Sequence, residues 1–243
     1  METEVPPQLW LRTILAKNNV PVSDQALGLL EQYVHGLIQA NKAVNLISRR
    51  DEENIWQHHI LHSLSILFQF RFRSSSRVLD LGSGGGLPGV PLKIMVPDMV
   101  LMLLDSTRKK MSAVGKIVAD LKLENVQPVW GRAEDLGRDK KFVGRFDVVL
   151  ARAVGPLDDL ARLAHPFLKA FGPSGLAVES SRDIPMVLEN PSLVAYKGGP
   201  LEAELEKARR IRYVRSVSVK PIVFEGSQTM GLEDKKLVII QFT

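Results

Sequence analysis

Apolar residues recur in two different rhythms along the chain, and the rhythm changes at Arg77. Upstream, over residues 1 to about 73, they return every three or four positions, the spacing of one helix face. Ser23 reads as an N-cap, and Leu27, Leu30, Val34, Leu37 and Ile38 follow it. A polar loop around Asn45 and Arg49-Arg50 leads into a second helix predicted over 52–68, with Ile55, His59, His62 and Ile66 along one side. The run Arg71-Phe72-Arg73-Ser74-Ser75-Ser76-Arg77 breaks the pattern. We take it as a joint between an N-terminal helical extension, 1–73, and a main domain, 74–243.

Downstream, short β-type runs alternate with helical patterns. Strands are predicted at 78–81, 100–104, 126–130, 146–150 and 175–179. Helices are expected after the first strand, on Met111, Val114, Ile117, Val118 and Leu121, on Leu157, Leu160, Ala164 and Leu168, and over 201–212. Two further runs, 214–224 and 237–242, have a connector short enough for a hairpin. Strand–helix alternation predicts an α/β fold, a mostly parallel sheet covered on both faces, with an antiparallel strand near the C-terminal edge.

Composition narrows the chemistry. The chain has 243 residues, 45% hydrophobic and 24% charged, which suits a soluble globular protein. It has no Cys, which excludes disulfide-stapled folds, thiolate zinc sites, iron–sulfur clusters and cysteine nucleophiles. Apolar runs such as 100–104 are too short to span a membrane. Glu2 and Glu4 stand where a signal peptide would be basic and then apolar, so a cytoplasmic location is expected. The net charge of +5 permits a nucleic-acid partner without requiring one.

The most informative stretch is Val78-Leu79-Asp80-Leu81-Gly82-Ser83-Gly84-Gly85-Gly86-Leu87-Pro88-Gly89: a strand, a glycine loop and a helix start. Such a loop lets a ligand approach the main chain beside unpaired helix N–H groups. Gly84, Gly86 and Gly89 match the spacing of a dinucleotide site, but counted from Gly82 the third glycine falls on Leu87. Asp80, two residues before the loop, suits a ligand with a cationic amino-acid end better than a pyrophosphate. S-adenosylmethionine has that end and no phosphate. Asp105, at the tip of the second strand, is placed to accept from both ribose hydroxyls, as NAD sites also do. Arg152, after the fourth strand, is expected at the carboxyl edge of the sheet, to hold a cofactor carboxylate or a substrate phosphate. Ala133-Glu134, after the third strand, is a position that commonly meets adenine.

The acceptor is narrowed by absences. Carbon-5 of a pyrimidine needs a cysteine, and there is none. The Asn/Asp-Pro-Pro-aromatic turn used for exocyclic amines is replaced by Ala151-Arg152-Ala153-Val154-Gly155-Pro156. A ring nitrogen with a free lone pair, such as guanine N7, needs alignment and desolvation but no base. His58 and His62 are four apart, yet no third ligand accompanies them, and no metal is expected. Basic clusters fall at 71–77, 108–110 and 138–145. A fourth comprises Lys207, Arg209, Arg210, Arg212, Arg215 and Lys220. Gathered around one cofactor edge, they would form an RNA-binding rim.

Taken together these residues resemble the bacterial RsmG (GidB) family, which methylates guanine N7 in the 530 loop of 16S (small-subunit) ribosomal RNA. The likeness covers nearly the whole chain. It rests on Asn45-Leu46-Ile47-Ser48, His59-Ile60-Leu61, the run from Leu79 to Leu92, Leu104-Asp105-Ser106, Arg132-Ala133-Glu134, Ala151-Arg152-Ala153 and Tyr196-Lys197-Gly198-Gly199. The Leu-Pro-Gly-Val-Pro-Leu extension of the glycine loop is its most specific part. The resemblance implies a seven-stranded Rossmann-like class I methyltransferase sheet with an N-terminal helical cap. It implies S-adenosylmethionine contacts at Gly82, Leu87, Ala133, Glu134 and Arg152. Two positions depart from the family. His62 stands where an Asp is usual, and Lys235-Lys236-Leu237 replaces an Arg-aromatic-Leu.

The expected function is therefore S-adenosylmethionine-dependent methylation of small-subunit RNA, naked or in an assembling 30S subunit, by a monomer. Gly82, Gly84 and Gly86 are expected at the methionine end, Asp105 at the ribose and Ala133-Glu134 at the adenine. Arg152 is expected to orient cofactor or guanine, and Lys197, Arg209 and Arg210 to meet RNA. Two rivals remain open: a nicotinamide (NAD) oxidoreductase, and a ribosome-assembly protein with a vestigial cofactor site.

Overall fold

The computed structural model describes residues 5–170, 185–229 and 231–243. Its centre is a seven-stranded sheet. In chain order the strands are β1 (Arg77–Leu81), β2 (Val100–Asp105), β3 (Val126–Trp130), β4 (Val148–Arg152), β5 (Ser192–Gly198), β6 (Val214–Pro221) and β7 (Lys235–Phe242). Their spatial order is β3-β2-β1-β4-β5-β7-β6. All pairs are parallel except β5–β7 and β7–β6, so the expected antiparallel strand is β7, one place in from the edge.

The central strands are apolar on both faces because helices cover both. Val78, Leu101, Leu103, Val148, Leu150 and Val194 join one core with α1 (Pro7–Lys17), α2 (Asp24–Asn41), α3 (Gly89–Met95) and α4 (Arg108–Asp120). Leu79, Leu81, Met102, Leu104, Val149 and Leu193 join the other, with α6 (Leu157–Ala164) and α7 (Glu202–Arg209). Between them in sequence lies the short helix α5 (Ala133–Leu136), after β3. The N-terminal helices thus share a core with the sheet. On α2 the predicted cap is present: Ser23 Oγ accepts from Ala26 N at 3.1 Å.

Several elements differ from expectation. The second N-terminal helix begins at Trp56, with a π-helical stretch Trp56–Leu61, an α turn His62–Leu64 and a 3-10 turn Ser65–Phe68. Glu52, read as its start, instead accepts from Asn41 Nδ2 at 2.6 Å. The fourth strand is shifted two residues, so Arg152 is its last residue, while Phe146 makes an isolated bridge to Leu168. The strand predicted at 175–179 lies outside the described residues. The fifth strand of the sheet is β5, which the sequence reading did not identify, although Pro191 and Gly198-Gly199 bound an apolar run there.

Candidate functional site

Register builds the site. Leu81 pairs with Leu104 on one side and Ala151 on the other. The next residues, Gly82, Asp105 and Arg152, therefore emerge level at the carboxyl edge. The strand order reverses here, between β1 and β4, which is where open α/β sheets bind ligands.

A cavity of about 420 Å³ opens at this edge, lined by Leu46, Ile47, His59, Gly82, Ser83, Gly84, Gly85, Leu87, Asp105, Ser106, Thr107, Lys110, Arg152, Ala153 and Val154. The loop turns because Gly82, Gly84 and Gly86 adopt positive φ of 71°, 54° and 90°. It is held by Gly82 and Ser83 N–H groups donating to Leu104 O at 2.8 and 3.0 Å, and by Tyr33 Oη donating to Gly85 O at 2.8 Å. Gly82, Gly84 and Leu87 line the cavity. Gly86 sits beneath it, where a Cβ would lie 2.7 Å from Val90 Cγ2.

Asp105 is pinned by the main chain. Its Oδ2 accepts from Gly84 N at 3.0 Å and its Oδ1 from Thr107 N at 2.8 Å. Each oxygen keeps a second acceptor site for a ligand hydroxyl. The roof is the 45–47 loop. Buried Asn41 holds it through Oδ1, which accepts from Leu46 N at 2.7 Å and Ile47 N at 3.0 Å. Asn41 was not singled out in the sequence, because its role is defined only by where the loop returns.

Arg152 reaches from β4 to the N-terminal layer. Its Nη2 donates to His59 Nδ1 at 3.1 Å and its Nη1 to His58 O at 3.5 Å. His59 is thereby an acceptor at Nδ1 and is neutral. Burial first, then Arg152, pushes its pKa down to about 4. Its Nε2 sits 3.8 Å from Asp51 Oδ2, with His58 Nδ1 at 3.4 Å from the same carboxylate. His58 and His62 do not converge: His62 is buried, edge-on to Tyr196 with centroids 5.4 Å apart. Burial, and then Arg152, push His62 down to about 3.

Asp80 corrects the sequence reading. It is fully buried and does not line the cavity; its Oδ2 accepts from Gly89 N at 2.7 Å, and its Oδ1 has no partner among the described residues. It shapes the turn into α3. Alternation puts it on the same sheet face as Val78, under the N-terminal helices. Burial raises its pKa to about 7, against the opposing pull of the Gly89 N–H and Arg152. The raised value makes the protonated acid stabilising: that stability is full below the unfolded carboxyl range and is lost as pH rises through about 7. Urea unfolding of the wild type minus that of Asp80→Asn is expected to fall between pH 4 and pH 7 by up to about 4 kcal/mol. Parallel profiles for the two proteins would refute the assignment.

A second cavity, about 460 Å³, adjoins the first and shares the wall Arg152, Ala153 and Val154. Its lining includes His62, Tyr196, Lys197, Glu204 and Lys235. Lys197 lies 2.7 Å from Glu204 and donates to Gly155 O at 3.1 Å. Glu204 accepts from Leu157 N at 2.9 Å through the same oxygen, Oε2. Ala133 and Glu134 occupy the first turn of α5, outside the lining of both cavities, and exposed Glu134 pairs with Arg132 at 3.1 Å. Arg209 and Arg210 end α7, exposed, with Arg210 paired to Glu206; neither lines either cavity. Among the described residues no group of three or more His, Asp or Glu is placed to hold a metal, and no helix is long and apolar enough to cross a membrane.

Strand order and the carboxyl-edge cavity define a Rossmann-like fold with its ligand site at the switch point; its relatives make it a methyltransferase that uses S-adenosylmethionine. The fold is shared with a mutant of MtNAS solved in complex with S-adenosylmethionine, at TM-score 0.51 and 14% identity, covering 89% of this chain and 73% of that one. It is shared equally with a predicted O-methyltransferase from Agrobacterium tumefaciens, at TM-score 0.51 and 14% identity, covering 75% and 79%. A family model described as rRNA small subunit methyltransferase G (GidB) matches residues 26–183. Ribosomal RNA small subunit methyltransferase G of Moorella thermoacetica is 33% identical over 222 residues, 91% of this chain and 84% of the relative. Its counterpart in Chlorobaculum tepidum is 34% identical over 237 residues, 96% and 97%. The chain belongs to this family.

Proposed function

We propose that the protein transfers the methyl group of S-adenosylmethionine to N7 of a guanine in the 530 loop of small-subunit ribosomal RNA, in the cytoplasm. Membership of the family supports the RNA target. The observation that carries the choice of a ring nitrogen is the second cavity. Among the described residues its one carboxylate, Glu204, is ion-paired with Lys197, and burial makes His62 too weakly basic, at about 3, to take up a proton near neutral pH. A guanine N7 lone pair needs no base there, whereas an amine would have to lose a proton.

The first cavity fits the donor. At Gly82 a Cβ would lie 2.6 Å from Val154 Cγ2, so only glycine leaves the wall in place. Asp105 accepts the ribose hydroxyls, and the glycine loop receives the methionine end. Residues 1–73 close over this cavity as a cap, with 74–243 as the methyltransferase domain. S-adenosylmethionine supplies an electrophilic methyl on a sulfonium. The chain's contribution is alignment and exclusion of water. Arg152, on the shared wall, orients donor carboxylate or guanine. Lys197 and the basic clusters, Arg209 and Arg210 included, hold the RNA backbone. The target base leaves its stack to enter.

The test is incubation with labelled S-adenosylmethionine and small subunits lacking the modification, followed by mapping of the labelled nucleotide. Label on guanine N7 in the 530 loop is expected. Label on another atom, or calorimetric binding of NAD in place of S-adenosylmethionine, defeats the proposal.

A further inference from the structure

One feature of the carboxyl edge has no part in the methyl-donor cavity as described. Trp130, the last residue of edge strand β3, is 57% exposed. An indole this large is normally covered, and exposure of a rigid aromatic beside positive charge marks a contact surface. The ring is fixed from below. Its Nε1 donates to Ser106 O at 3.0 Å, and Ser106 belongs to the rim of the donor cavity. The Arg108 guanidinium lies over one face of the ring, 5.4 Å from its centroid. Lys109 is exposed, and Lys110 lines the donor cavity itself. Neither Lys109 nor Lys110 makes an ion pair among the described residues. An aromatic face bordered by cations is the combination that holds an unpaired nucleobase and its phosphates.

We propose that Trp130 is a stacking platform for an unpaired base of the RNA substrate, adjacent to the target nucleotide, the base lying on the indole face opposite Arg108 and Lys109 meeting a flanking phosphate. The inference rests on the RNA reading above and adds a named contact to it. The tie from indole to Ser106 gives the platform its purpose: a base stacked on Trp130 fixes the strand at the cavity mouth, so the neighbouring nucleotide is delivered with its ring nitrogen toward the donor. Stacking tolerates any base, so Trp130 sets register and affinity, not sequence. The position also explains why the edge strand ends in an aromatic that contributes nothing to either core cluster.

The experiment compares wild type, Trp130→Ala and Trp130→Phe. Undermethylated small subunits serve as substrate, and donor binding is measured separately by calorimetry without RNA. Trp130→Ala is expected to raise KM for the subunits about ten-fold, the loss of one stacked base. Trp130→Phe keeps most of the affinity, and the Kd for S-adenosylmethionine is unchanged in both. A second readout does not depend on the alanine variant folding. In a Trp10→Phe/Trp56→Phe background Trp130 is the only tryptophan, and a single-stranded RNA oligonucleotide is expected to quench its emission. An unchanged KM, or no quenching, overturns the proposal. So does a weakened donor Kd with RNA affinity intact, which would assign Trp130 to the adenine instead. If the wild type transfers no methyl to RNA, the methylation reading fails, while quenching by RNA still supports this surface.

Discussion

Arg152→Ala will lower methyl transfer to ribosomal RNA by about 100-fold, the usual cost of losing a positioned charged group at a reacting centre. Among the described residues Arg152 is the one charged side chain that lines both cavities. It is held by neutral partners, His59 Nδ1 and the His58 carbonyl, and no carboxylate is hydrogen-bonded to it among the described residues. A half-buried cation so placed costs desolvation without an ion pair in return. Its removal should therefore change Tm by no more than a few degrees while activity collapses. Arg152→Lys is expected to recover little, because an ammonium cannot reproduce the two directed contacts of the planar fork. Steady-state kinetics with thermal unfolding on the same preparations tests this. Activity within three-fold of wild type, or a loss matched by unfolding, would remove Arg152 from its assigned role.

Gly82→Ala should be nearly as damaging, by a different route. Its φ of 71° disfavours an L-residue by about 1–2 kcal/mol. The added Cβ would also meet Val154 Cγ2 at 2.6 Å, and Val154 belongs to the shared wall. The wall has to move, and with it the boundary between donor and acceptor. We expect at least a ten-fold weaker Kd for S-adenosylmethionine by calorimetry. The second-site change Val154→Ala removes the clash but not the strained φ, so Gly82→Ala/Val154→Ala should regain part of the affinity. Wild-type affinity in Gly82→Ala would show that the donor does not use this wall.

The elements themselves were largely readable in the chain. Buried strands covered on both faces leave short continuous apolar runs, and β1 and β2 were placed within a residue of their observed bounds on that basis. The glycine loop was legible because positive φ demands glycine whatever packs around it. Strand β5 is less legible, because its apolar run Leu193-Val194-Ala195-Tyr196 is short and ends at Lys197-Gly198. The two-residue shift of β4 mattered more, since it moved Arg152 from a loop into the sheet, where register fixes its height beside Asp105.

By itself, then, the amino-acid order determined most of the strands and helices, where the backbone turns back on a ligand, and which acid ends the second strand. Those properties are local, written in periodicity and in the few residues that tolerate a left-handed turn. Tertiary structure alone decided the rest. It put Asp80 under the N-terminal layer and out of the cavity, because alternation assigns a face but not what covers it. It joined Arg152 to His59, 93 positions away, and divided the carboxyl edge into two adjoining hollows. It also left Trp130 uncovered on an edge strand. Each of these depends on which distant segment packs against which. That is settled by the closest fit of whole surfaces, a quantity no single window of the chain contains.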